Sequence, residues 1–471
     1  MKKSIFLLLS IAGIVNAQTV QDISSVSVFS NDVNAGSARY IGMGGSMGAL
    51  GSELSSSSQN PAGGALAITS EFGATLAFNT FNNKTTFGST VKTNDNSFDF
   101  QNLTANMIFE NNLGAWNRFS IGISFAKESM DNWLAMDRNN QITETFQPGE
   151  TLDGTTTYTM NGYQDLMIGY KSKMSVDFGA SYQEKLYLGL GLNIHDTQYD
   201  NYVFFDEDTN GTVYRYDLNG TPYSVKATGY SLSAGAIARV NDQFRFGLAY
   251  HSPVWYDNLE ENFYANLPVG EDEYQYDFYY SNYDRISNSR LVASAGAILM
   301  NSLALNVDYT LHMNGSTQFK PNGDFTQINN FLDQHLKSSS EIRVGGEYII
   351  NDFSIRAGYN YVQSPFESIT LNADAGNGIP TSQNFSKAIR GDLNRISFGV
   401  GYDFGGFRLD AAYQMQNQKY NYVFGNADYV DFDSADNTVY YATLPLNADH
   451  NYVADVKNTR NMFLLSAAWQ F

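Results

Sequence analysis

Leu186, Leu188, Leu190, Leu192 and Ile194 take every second position of one stretch, and Tyr187, Gly189, Gly191, Asn193 and His195 fill the positions between. Side chains of an extended strand point alternately to opposite faces, so this stretch has one aliphatic face and one small or polar face. The same split separates Phe244, Phe246, Leu248 and Tyr250 from Arg245, Gly247, Ala249 and His251. It recurs in Leu303–Thr310 and again in Phe353–Asn360. A period of two, repeated along the chain, excludes a helical fold and gives an all-β class. About 14 segments fit a strand of roughly 10 residues that is apolar outside and small or polar inside. Their cores are 72–81, 98–109, 117–126, 174–183, 185–195, 227–239, 243–252, 290–300, 302–312, 340–350, 352–361, 394–404, 406–415 and 460–471.

The connections separate into two sets. Tight turns fall near Asn111–Trp116, Glu184, Val240–Asp242, Asn301, Asn351 and Gly405. Long segments fall between them at 82–97, 127–173, 196–226, 253–289, 313–339, 362–393 and 416–459. Strict alternation of short and long, with an even strand count, is the plan of a transmembrane antiparallel β-barrel. Short turns are then periplasmic, long loops extracellular, and both chain ends periplasmic. Asn210-Gly211 and Asn219-Gly220 are hairpin dipeptides, so loop 196–226 is expected to rise as β-ribbon. Phe325, Ile328, Phe331, Leu332 and Leu336 have helical spacing and predict a short amphipathic helix.

The two ends agree with export to an outer membrane. Lys2 and Lys3 precede the apolar stretch Ile5–Val15, and Val15-Asn16-Ala17 offers a small-residue cleavage site, so 1–17 reads as a signal peptide. The stretch is too short for a spanning helix, and no later apolar run is long enough. At the other end Phe463, Leu465, Ala467, Trp469 and Phe471 alternate up to a terminal aromatic, the pattern read by barrel assembly machinery. Charged residues make up only 16% while aromatics reach 14%, a mixture suited to a lipid-facing wall with aromatic girdles. With a net charge of −20, much of it in long loops, the chain lacks the basic surface that neutralises phosphates, so no nucleic acid is expected. No cysteine is present, so neither disulfides nor cysteine lipidation enter.

Residues 18–70 carry no period-2 run of strand length. They hold Asn34-Ala35-Gly36-Ser37-Ala38-Arg39, Gly42-Met43-Gly44-Gly45 and Asn60-Pro61-Ala62-Gly63, in that order, ahead of the first strand. This order, with the strand count and the terminal aromatic, resembles the FadL/TodX family of outer-membrane transporters for hydrophobic compounds, in its Bacteroidetes form. The resemblance implies that 18–70 is a small, partly helical hatch inside a barrel formed by 71–471. It implies passive transport of hydrophobic small molecules, most simply long-chain fatty acids, through a loop-side groove, a pocket beside the hatch and an opening in the wall. Ligand and membrane lipid are then the partners, the chain is monomeric, and no cofactor is needed. Mapped by motif, Asn60, Pro61 and Ala62 are the hatch residues of interest, with Asn60 a helix cap and Pro61 in the first turn. That chemistry equally suits a purely structural role. Phe29, Met43, Met47, Leu50 and Leu54 are the apolar residues able to meet a ligand, or to pack on the wall. Gln18–Asp32, about 15 residues ahead of the Ala-Gly-Ser-Ala-Arg stretch, is extra relative to familiar members, whose N-terminus itself reaches the pocket.

No nucleophile–base set, metalloprotease spacing or phosphate loop is present, so an enzyme is not expected. Asp206, Asp208, Asn210 and Asp217 have calcium-loop spacing, although the Asn-Gly turn explains them as well. His195, His251 and His312 each end a strand on the lumen parity; some relatives are named hemin receptors, and imidazole ligates haem. Hydrogen bonding in a polar rim is the plainer role. Arg245, Asp308, Arg343, Glu347, Arg356, Arg408 and Asp410 are expected to face the lumen and to pair there, since buried charges require partners. One of the arginines could instead hold a substrate carboxylate. The rival to transport is a protein-interaction barrel serving type IX secretion.

Overall fold

The computed structural model describes residues 25–471 except 27, 31, 112–113, 147–155, 218–222, 269–273, 367–368, 375–379, 386–389, 424–427, 434–437 and 444–452. The expected leader and the Asn219-Gly220 turn lie outside the described residues. The strands begin with β1 (Glu71–Phe87), β2 (Ser89–Glu110), β3 (Trp116–Ser129), β4 (Asn132–Phe146), β5 (Thr156–Tyr182), β6 (Leu186–Thr209), β7 (Thr212–Asp217) and β8 (Tyr223–Arg239). They continue with β9 (Phe244–His251), β10 (Trp255–Pro268), β11 (Tyr274–Ile286), β12 (Ser289–Leu299), β13 (Leu303–Met313), β14 (Gln318–Lys320), β15 (Ser339–Ile350) and β16 (Phe353–Val362). The last are β17 (Ile369–Asp374), β18 (Pro380–Phe385), β19 (Leu393–Asp403), β20 (Phe407–Val423), β21 (Asp428–Asp433), β22 (Thr438–Thr443) and β23 (Val453–Gln470).

Fourteen of these form the wall: β1, β2, β3, β5, β6, β8, β9, β12, β13, β15, β16, β19, β20 and β23, each antiparallel to the next. Glu71 pairs with Gln470 and Thr86 with Asp455, so the last strand returns to the first and the sheet closes. All fourteen expected segments lie in these strands.

The strands are taller than the alternation suggested. Segment 82–97 is not a loop: β1 and β2 stay paired up to Phe87↔Ser89 and turn at Gly88. β5 and β6 pair from Tyr182↔Leu186 to Tyr158↔Thr209. Above the apolar band the outward face changes to residues such as Asn82, Lys84 and Thr86. Polar alternates with polar there, so the hydrophobic period ends while the backbone ladder continues. β6 and β7 form the expected hairpin, with Asn210 and Gly211 both at positive φ. The predicted helix is present at Thr326–His335, with Ile328, Leu332 and Leu336 buried.

Leu188, Leu190, Leu192, Ile194, Phe246 and Leu248 are exposed on the outside of the wall, where only lipid suits them. At the short-turn end, Phe353, Tyr402, Phe404, Phe407, Trp469 and Phe72 follow one another with ring centroids 4.5–6.2 Å apart. This is half of an aromatic girdle. Phe471 donates its backbone N–H to Ser70, so both ends of the wall meet at this rim.

Candidate functional site in the barrel lumen

Residues 34–68 cross the inside of the barrel as a helix, Ala38–Gly42, and two 3-10 turns, Leu54–Ser58 and Pro61–Leu66. Asn60 caps the second turn: its Oδ1 accepts the Ala62 N–H at 3.0 Å, and Pro61 takes the first position. Its Nδ2 donates outward to the carbonyls of Ala236 (3.2 Å) and Leu248 (3.5 Å) on β8 and β9. Glycines in the wall admit this approach. A Cβ on Gly189 would lie 2.3 Å from the Ala62 nitrogen, and one on Gly358 would lie 2.1 Å from the Gly44 nitrogen. Met43, Met47 and Leu50 are buried with Ile41, Ala77 and Leu464, packed on the wall. Ala62 packs with Ala65, Leu66, Tyr187 and Ile237. The Leu54 side chain lies outside the described residues.

The charged lumen residues form the expected network, in part. Arg356 is fully buried and bridges Glu347 and Asp410, each at 2.7 Å. Asp410 also accepts from Arg408 (2.8 Å), and Glu347 accepts from Arg39 of the hatch helix (2.7 Å). Arg343 pairs with Glu341 at 2.7 Å and donates to the Tyr40 hydroxyl. Two residues depart from the expectation of ion pairs because hatch backbone reaches them first. Arg245 donates to the Leu50 carbonyl at 2.8 Å, and Asp308 accepts the Gly48 N–H at 3.2 Å. Burial raises the carboxyl of Glu53, in the hatch, against a hydrogen bond from Ser37.

Above the hatch, the described residues 25–26, 28–30 and 32–33 climb the lumen toward the long-loop end. Val26 and Phe29 are buried in an apolar cluster with Tyr199, Val225, Tyr256, Leu259, Phe319 and Leu332. The Phe29 ring stands edge-on to Tyr256 at 4.9 Å. The Arg285 guanidinium lies 4.5 Å from Phe29 on one side and 4.5 Å from Phe319 on the other. Arg285 is fully buried and donates through Nη1 to Ser25, while its Nε and Nη2 have no hydrogen-bond partner.

Directly below lies a small polar cavity of about 50 Å³. Asp32 enters it and pairs with Arg290 at 2.6 Å and with Lys173 at 3.7 Å. Lys171 donates to the Val28 carbonyl at 3.3 Å. Burial by itself raises the Asp32 carboxyl; Arg290 first and Lys173 next outweigh it, holding the group well below the ordinary carboxylate range. His195, His251 and His312 all line this cavity, although their strands are not all adjacent. Their Nε2 atoms bond to Ser231, the Gln59 carbonyl and Glu341 at 2.8, 3.1 and 3.0 Å. That is the hydrogen-bonding role, with no convergence on a shared ligand position.

The β-ribbon gives two of the calcium-spaced residues other partners, and the Asp217 side chain lies outside the described residues. Asp206 holds Arg215 at 2.6 and 2.7 Å, and Asp208 is bound by Arg138 and the Gly211 N–H. Asp217 sits in β7 opposite Phe204. Among the described residues no group of three or more His, Cys, Asp or Glu could hold a metal.

The wall is irregular at two places. β3 pairs with β2 only up to Asn102↔Ala126, then breaks at Met130–Asp131. β4 leans inward instead, and its Trp133 carbonyl accepts from Asn83 and Thr93 on the inner faces of β1 and β2. Among the described residues no strand pairs with that edge of β2 above Asn102; the Lys127–Asp99 pair (3.2 Å) crosses the gap. The second irregularity separates β9 from β10 at Ser252-Pro253-Val254 and β11 from β12 at Ser287-Asn288, level with the polar cavity. Ser252 and Ser287 hydroxyls there accept from the Leu232 and Val254 amides.

The fold is thus a closed barrel of fourteen strands with its own N-terminal segment inside. The toluene transporter TodX of Pseudomonas putida superposes with a TM-score of 0.54 at 12% identity, covering 94% of this chain and 100% of TodX. A FadL homologue of Pseudomonas aeruginosa gives 0.53 at 15% identity, covering 93% and 99%. The toluene transporter TbuX of Ralstonia pickettii gives 0.53 at 11% identity, covering 93% and 99%. The chain has the FadL/TodX fold. No family model matches it, and no curated protein matches it in sequence.

In this FadL/TodX barrel the sequence reading missed Lys171, Lys173, Arg285, Arg290 and Asp32. Lys171 and Lys173 continue the inward parity of Ser175 and Asp177, one step beyond the segment where alternation was traced. Extending the parity rule downward from residue 175 exposes them. Arg290 lies on the same face as Ser294, and its parity also reads inward.

Proposed function

We propose that the chain carries hydrophobic small molecules passively across an outer membrane, with the long loops extracellular and both ends of the wall periplasmic. The observation that carries this is the apolar cluster around Val26 and Phe29, inside the barrel at its loop end. A water-filled pore is polar on its inner surface, whereas the lumen above the hatch carries a cluster of apolar side chains. Removing an acyl or aryl group from water there is worth about 0.8 kcal/mol per CH₂. Transport of toluene by structural neighbours such as TodX supports the same class of cargo. The hatch blocks straight passage, which makes the unpaired edge of β2 above Asn102 a sideways route into the bilayer. Residues 18–70 act as the hatch and Asn60, Pro61 and Ala62 hold its shape. A passive path needs no catalytic group and no cofactor. The secretion-accessory alternative has no such support among the structures named above.

The test is mass spectrometry of organic extracts from protein purified in a short-chain detergent and offered labelled fatty acids. Bound acyl chains that are lost when residues 18–70 are deleted support the reading. An empty barrel that co-purifies with a protein partner overturns it.

A further inference from the structure

The rising N-terminal strap, residues 25–26, 28–30 and 32–33, fills the lumen with its own side chains in a particular chemical order. Phe29 occupies an aromatic slot between the Tyr256 ring and the Arg285 guanidinium. Three residues later, Asp32 places a carboxylate on Arg290 and Lys173 in the cavity below. Among the described residues that line the cavity, Asp32 is the acidic one, beside Lys171, Lys173 and Arg290. The backbone between the two positions spans at most about 10 Å. All three cations sit on the wall strands β5 and β12, so they remain in place if the strap leaves.

From this arrangement we propose that Phe29 and Asp32 are a tethered stand-in for the cargo, and that the lumen binds aromatic carboxylates by displacing the strap. The proposal rests on the transport reading and narrows its substrate class. Both contacts of Phe29 favour a ring over an alkyl chain. Tyr256 meets it edge-to-face, and the fully buried Arg285 guanidinium lies 4.5 Å from its ring centroid. Arg285 also keeps two buried donors, Nε and Nη2, with no acceptor, although such donors are costly to leave unpaired. A ring bearing an oxygen substituent would satisfy them; Phe29 cannot. The carboxylate requirement comes from the lower cavity. With the strap withdrawn, Arg290 and Lys173 would face one another as buried like charges, which an incoming anion neutralises. A neutral hydrocarbon fills the slot and leaves that repulsion standing. Ligand and strap therefore compete for one site, and the ligand must bring a charge to win it.

The experiment uses the full chain in detergent, with 4-phenylbutyrate as probe and 4-phenylbutan-1-ol as its neutral counterpart. Calorimetric titration is expected to show phenylbutyrate bound about tenfold tighter than the alcohol. Asp32→Asn should tighten phenylbutyrate about tenfold further and leave the alcohol unchanged. Adding Lys173→Met to Asp32→Asn should remove that gain. Equal affinities for acid and alcohol in both the parent and Asp32→Asn overturn the proposal. The second readout does not depend on Asp32→Asn folding. The chain has no cysteine and Ser30 is buried within the strap, so Ser30→Cys is a single reporter. Saturating phenylbutyrate should raise its maleimide labelling rate at least several-fold; an unchanged rate shows that the strap stays seated and overturns the proposal. If toluene or phenylbutanol binds while phenylbutyrate gains nothing, the transport reading stands and this one falls. If none of the three binds, the transport reading itself fails.

Discussion

Asp32 and Arg290 meet at 2.6 Å in the middle of the lumen, and this ion pair ties the N-terminal strap to wall strand β12. Above it the strap is held by apolar burial, and below it by hatch backbone. The pair is therefore where a change of charge should be felt along the whole strap.

Its pH dependence has a definite sign. The Asp32 carboxyl sits well below the ordinary range in the folded chain, so it contributes stability above its unfolded value of about 3.9. That contribution fades as pH falls through the folded value. Glu53 behaves oppositely: burial raises it, so the hatch loses stability as pH rises from about 4.3 through its folded value. Hydrogen exchange of residues 25–33 should accelerate on acidification below about pH 4, and Glu53→Gln should slow exchange in the hatch at neutral pH.

Asn60→Ala removes a cap and two donated bonds to the wall at once. The expected cost is about 1–2 kcal/mol, confined to the hatch. Limited proteolysis should cut residues 32–70 faster, while the heat-dependent gel migration of the barrel stays unchanged.

Gly358→Ala puts a methyl group where the Gly44 nitrogen now lies at 2.1 Å, and backbone on both sides leaves nothing to yield. The hatch is expected to shift, giving frequent ion-conducting openings in planar bilayers. Gly315→Ala, whose Cβ meets nothing within 4 Å, should leave conductance at the parent level.

Arg356→Met removes the fully buried bridge between Glu347 and Asp410, leaving each carboxylate one partner, Arg39 and Arg408. Removing one member of a buried ion network costs on the order of 3–5 kcal/mol. The midpoint of urea unfolding should fall accordingly. Arg408→Met, at the edge of the same network, should cost less because Asp410 keeps Arg356.

The wall was legible because lipid outside and packed interior inside impose opposite demands on alternate residues. Leu186–His195 states both demands in ten positions. The legibility ends where lipid ends: Asn82, Lys84 and Thr86 form strand as well as Leu76 does, but water places no apolar requirement on them. The ion network was legible at Arg356 and Asp410 through parity. It misled at Arg245 and Asp308, because the hatch backbone that satisfies them belongs to a segment without a period. For the same reason Asp32 and Phe29 could not be placed beside Arg290 and Tyr256, which lie more than two hundred residues away. The three histidines read correctly as lumenal, but only the fold brings them around one cavity and assigns each a separate hydrogen-bond partner.

The most direct test of the central claim is the uptake rate of a labelled hydrophobic compound, toluene or decanoate, by cells that display the chain in a lipopolysaccharide-bearing outer membrane. A hatch-gated lumen predicts uptake well above that of cells without the chain, with no gain in permeability to a labelled sugar. Equal uptake of the hydrophobic compound in both cells, or a parallel rise in sugar permeability, would contradict it.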